Sequence, residues 1–371
     1  NPAISPAPSS AGPAKHRLST VSSRSYRAAC TCLLLLLAVL SPLTVCHAAT
    51  DILEDAQPPS MGPQHLAVII NDADPLSQRI GEYYIAKRGI PVGNVIHVRF
   101  KPGNNIMSPK EFEQIKTSVD RQTPATVQAY ALSWTARYRV GCMSITTAFA
   151  AGYNEDFCAR GCKPTRASPY YNSGSSQPFA DFGWRPAMML AGENIESVEQ
   201  LIDRGVAADW SDPDGSAYLM STSDKARNGR ARFYPGIQMM QSDRFRIEVL
   251  QSNSLKQRTD VMFYFTGLSS VAGIDSNRYR PGAIADHLTS AGGQLTGSKQ
   301  MSSLRWLAAG ATGSYGAVVE PCSFIQKFPR PNAVIDRYLN GETLLEAYWK
   351  SVEWPGQGVF IGEPLAAPFR R

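Results

Sequence analysis

Asp286, His287 and Ser290 fall within five residues of one another. Together they could form a nucleophilic site, with the imidazole taking the serine proton and the carboxylate holding the opposite ring nitrogen. At helical spacing 286 and 290 share a face, and 287 and 290 are neighbours. One helical turn rarely holds a whole triad in register, so capping and loop anchoring are the expected work of Asp286, Thr289 and Ser290. Cys322 is a second candidate nucleophile, closing the run VVEPC (318–322) two residues after Glu320. It would need a base such as His287 and an oxyanion site, and exported cysteines are usually oxidised. Glu320, if buried, would serve as acid or base or pair with an arginine. Asn71, Asp72 and Asp74 follow the first apolar run. They suit a cation or a ligand hydroxyl, but building a turn and capping the next helix is the favoured reading. Thr266 and Gly267 end VMFYFTG (261–267) at what should be a ligand-facing rim. Tyr170, Tyr171 and Trp184 would stack a sugar or peptide if exposed, or pack as a lid if not.

These candidates need a sheet to position them. Residues 66–71 (LAVIIN) read as a buried strand, 78–88 as a helix stopped by Gly89, 95–100 as a strand, 110–120 as a helix opened by Ser108-Pro109, and 127–133 as a third strand. That rhythm implies a mostly parallel sheet covered on both faces, a three-layer α/β/α fold. Residues 142–186, rich in Gly, Ser, Tyr, Pro and Asn, read as an irregular cysteine-bearing insertion over the sheet. Beyond it, 196–210 has helical periodicity, and 217–222, 260–265, 315–319 and 359–361 read as strands. Helices are expected at 242–251, 283–290, 303–309 and 332–350, the last interrupted near Gly341. The chain thus divides into a first α/β half (65–190, carrying the insertion) and a second (191–371).

The first 49 residues carry Lys15, Arg17, Arg24 and Arg27, no acidic residue, and the run LLLLLAVL (33–40). This composition predicts a signal peptide followed by a linker (50–64), an exported protein in the periplasm or extracellular space, and no membrane association after cleavage. Without those four cations the formal charge falls from +6 to +2, 33 basic against 31 acidic residues. No basic block with interleaved aromatics argues for nucleic acid; the run KARNGRAR (225–232) reads as a solvated loop. Four cysteines remain, Cys142, Cys158, Cys162 and Cys322, with three possible connectivities. A local Cys158–Cys162 bridge would leave Cys142 with Cys322. Spacing favours neither metal nor cofactor.

Several long blocks resemble an uncharacterised family of exported bacterial proteins: VIINDADPLSQRIGEYYIAKRGIPVGNVIHVRF, PGAIADHLTSAGG, WLAAGATGSYGAVVEPC and GETLLEAYWKSVEWPGQGVFIGEPLAAPF. More distantly, the layout resembles gingipain-type cysteine peptidases, which implies a caspase-like α/β fold. The resemblance does not bring the reaction with it. Where that family places Gly-His-Gly this chain has Phe265-Thr266-Gly267-Leu268, and the block Thr289-Ser290-Ala291-Gly292-Gly293 holds no cysteine. The expectation is therefore a non-catalytic binding protein for a peptide, a glycan or another envelope protein. The alternatives are a hydrolase with a rearranged site around His287, Ser290 and Cys322, and a structural module.

Overall fold

A computed structural model describes residues 60–159, 162–240 and 245–371, all within one compact unit. Its first strand, β1 (Leu66–Asn71), is buried throughout. Asp74 then accepts from the Leu76 amide, Pro75 fills the first turn, and α1 (Pro75–Arg88) runs until Gly89 turns left-handed at φ 61°. Next come β2 (Val95–Val98), the two-residue β3 (Ile106–Met107) and α2 (Pro109–Gln122), capped by Ser108. The first half ends with β4 (Ala129–Leu132), the short β5 (Arg139–Val140) and β6 (Met143–Ser144), α3 (Ile145–Ala151), α4 (Pro178–Phe182) and β7 (Ala187–Met189). The stretch expected to be irregular therefore contains two helices, and its β6 joins β3 and β5 in a separate three-stranded sheet.

The second half holds α5 (Ile195–Ala208), β8 (Gly215–Ser221), α6 (Tyr234–Gln238), β9 (Phe245–Gln251), β10 (Val261–Thr266), β11 (Tyr279–His287), α7 (Leu304–Ala309), β12 (Gly313–Ala317), α8 (Pro331–Leu339), α9 (Leu344–Trp349) and β13 (Gly358–Gly362). Two expectations fail here. Residues 283–287 form the end of a strand and 288–290 the loop after it, not a helix: Ala283, Ile284 and Ala285 are buried between β10 and β12, and a segment covered on both faces loses its period. Residues 245–251, expected to be helical, pair along their length with β8. The helical part of that crossover lies earlier, in α6.

Ten strands form one sheet in the order β2-β1-β4-β7-β13-β12-β11-β10-β8-β9. All neighbours are parallel except β12 and β13. The sheet is thus two parallel blocks joined antiparallel, and the last strand of the chain belongs to the first block. Helices cover both faces. Gly81 of α1 sits against Ile70, on the side that Val68 shares with its β4 partner Ala131, whereas Phe149 of α3 packs edge-on to Tyr130, which points the other way. The antiparallel junction has a consequence for function: the carboxyl ends of the two blocks open on opposite edges of the sheet. Asn71, Asp72 and Asp74 lie at one edge, and Thr266, Asp286 and His287 at the other.

Candidate functional site

The edge of the second block carries most of the candidate residues, and the imidazole, the carboxylate and the sulfur among them are each engaged with some other group. His287 ends β11 and is 1% exposed. The indole N–H of Trp306 donates to its Nδ1 at 2.9 Å, and its Nε2 lies 3.0 Å from the Met301 carbonyl. Trp306 can only donate, so Nδ1 accepts and Nε2 carries the proton. Burial, reinforced by the Arg230 and Arg227 charges, lowers its pKa to about 4. Both nitrogens are occupied, so neither accepts from Ser290 or faces a thiol. Asp286 makes a buried ion pair with Arg230, 2.7 Å from Nη2 to Oδ1. Desolvation raises its pKa, against the opposing pull of the guanidinium. The basic loop at 225–232 is therefore not wholly solvated: Arg230 is 2% exposed because it neutralises Asp286 and donates to the Thr266 carbonyl at 2.8 Å.

The crevice between β8 and β10, where the strand order reverses, is the usual ligand position in such a sheet. Here it is filled. The Thr222 hydroxyl donates to the Gly267 carbonyl at 2.7 Å, and a Cβ on Gly267 would lie 1.9 Å from the Arg227 carbonyl oxygen. Arg227 Nε in turn donates to Thr289 Oγ1 at 3.0 Å, and that hydroxyl donates to Gln300 at 2.7 Å. Thr289 does anchor the loop; Ser290 beside it is half-buried.

The four cysteines among the described residues are oxidised, but not in the pairs expected. Cys142 bonds Cys158 and Cys162 bonds Cys322, with Cα–Cα distances of 5.5 and 5.3 Å. The first bridge closes a 16-residue span and the second a span of 160. Adjacent cysteines of a C-x-x-x-C segment thus point to different partners. Cys322 has no thiol to offer, and Glu320 holds its loop by accepting the Cys322 amide at 2.8 Å. Of the insertion aromatics, Tyr170 and Trp184 are buried, at 0% and 7%, and act as packing. Among the described residues no cluster of three or more His, Cys, Asp or Glu forms a metal site, and no helix is long and apolar enough to cross a membrane.

The opposite edge is open. Asn71 is consumed by structure: its side chain donates to the Phe100 carbonyl at 2.9 Å and accepts the Phe100 amide at 3.0 Å. Asp74 caps α1. Asp72, however, lines a groove of about 340 Å³ between the ends of β1 and β2 and the flank of α2, with His97, Arg99, Glu111, Gln114 and Ser118. Its Oδ1 lies 2.7 Å from His97 Nδ1, which turns Nε2 into the ring nitrogen available to a ligand. Glu111 is neutralised by Arg137 at 2.8 Å. Arg99 is exposed and is the groove's unpaired cation, with no ion pair to any described carboxylate. The volume matches the lower end of small-ligand sites. His97 and Arg99 were legible in VIHVRF, where they alternate with buried Ile96, Val98 and Phe100; only their position beside Asp72 required the fold.

Comparison with known proteins matched no family model, no curated protein and no solved structure.

Proposed function

We propose that this chain is an exported binding protein, a caspase/gingipain-like relative without the Cys–His dyad, which captures an extended peptide in the Asp72–His97–Arg99 groove. The observation that supports this reading most is that the thiol and the imidazole a rearranged site would need are both already committed. Cys322 is bridged to Cys162, and His287 spends both nitrogens inside the core. A peptide suits the groove because it brings a carboxylate for Arg99 together with backbone N–H and C=O groups for Asp72, His97 and Gln114. The groove also borders β2, an edge strand of the sheet, where an extended chain can lie alongside.

The reading is tested by titrating a mixed peptide library, and separately a glycan array, against the protein and its His97→Ala and Arg99→Ala variants. Both side chains are exposed, so each variant keeps its fold. Peptide retention that drops about tenfold or more in both variants is the expected result. Retention of glycans alone, or of peptides indifferent to both changes, would overturn it.

A further inference from the structure

We infer that β9 is a self-pairing edge through which two copies of this chain join their sheets. The strand ends the ten-stranded order and, among the described residues, pairs only with β8. Alternate residues of this seven-residue edge strand present unpaired N–H and C=O groups, a template that proteins ordinarily blunt or cover. The elements beside this edge add apolar surface. α6 packs against β9, and Phe233, Met239 and Met240 around it are exposed at 38%, 86% and 36%.

The sequence of the strand selects a second copy as the occupant. In an antiparallel pair centred on Ile247, residue numbers across the junction sum to a constant. Ile247 then meets Ile247 of the other copy, Phe245 meets Val249, and Arg246 meets Glu248, twice over by symmetry. Each junction therefore carries two opposite-charge pairs on one face and a continuous row of apolar side chains on the other. In the single chain Arg246 is 70% exposed and lies 3.8 Å from Glu248, too long for a hydrogen bond. Pairing with a second copy would give it a direct partner. Shifting the centre to Glu248 would set like charges face to face, so the charges also fix the register.

Sedimentation equilibrium on the purified protein, on Glu248→Arg and on the double charge swap Arg246→Glu with Glu248→Arg tests this. Circular dichroism and a thermal melt confirm that each variant is folded. The wild type is expected to dimerise in the micromolar range. The single reversal, which sets arginine against arginine at both symmetric positions, should weaken the dimer at least about tenfold, and the double swap should restore it. A wild type that stays monomeric at all concentrations would overturn the inference. So would a dimer indifferent to the single reversal, or one that the double swap leaves broken.

Discussion

Acidification should reveal that His287 is a structural residue. In the unfolded chain its imidazole titrates near 6.5, and in the fold near 4, chiefly because burial disfavours the charged ring. Protonation would also place a proton on Nδ1, which accepts from Trp306. The folded value is depressed, so the unfolded state takes up the proton first, and stability falls as pH drops from about 6.5 toward 4. The full effect is about 3 kcal/mol, of which about 2 kcal/mol is lost between pH 7 and pH 5. Asp286 acts in the opposite sense: its raised value favours the fold as the carboxyl protonates at low pH. A comparison that keeps Asp286 and removes only the imidazole separates the two. Urea unfolding at pH 7, 6 and 5 should show the wild type losing about 2 kcal/mol more than His287→Asn over that window. Equal losses in the two proteins, or a native His287 resonance titrating near 6.5, would refute the reasoning.

Other perturbations follow from the same contacts. Asp286→Ala should cost about 3–5 kcal/mol by leaving Arg230 charged and buried, whereas Arg230→Met with Asp286→Leu should cost much less; urea midpoints compare them. Gly267→Ala should cost about 3 kcal/mol in a thermal melt, because its methyl meets the Arg227 carbonyl, which the filled crevice cannot move aside. Removing the Cys162–Cys322 bridge by paired serine substitution should destabilise more than removing Cys142–Cys158, on the order of 5 against 3 kcal/mol from the loops they close, measured by urea unfolding.

The first half of the fold was legible because local signals agreed with the global outcome. The run 66–70 is apolar throughout, Asp74 and Pro75 open α1, and Gly89 closes it. The second half was less legible where burial erases period. Ala283–Ala285 sit mid-sheet and carry no alternation that separates strand from helix. In 245–251 the inward Phe245 and Ile247 did alternate with exposed Arg246, a strand signal that the expectation of a helix over 242–251 passed over. The candidate chemistry was visible as residue types but not as partners. No spacing rule says that Cys162 reaches Cys322 across 160 residues, or that His287 is claimed by Trp306 and Met301. Nor could the sequence place Asp72 and His287 on opposite edges, since that depends on β13 returning to the first block antiparallel to β12.

The central claim is that the edge of the second block is closed to covalent chemistry. Incubating the oxidised protein with an unstructured peptide library, and following new termini by mass spectrometry, tests it directly. The wild type should release none, before and after selective reduction of the Cys162–Cys322 bridge. Cleavage that disappears in Cys322→Ser or His287→Asn would contradict the account.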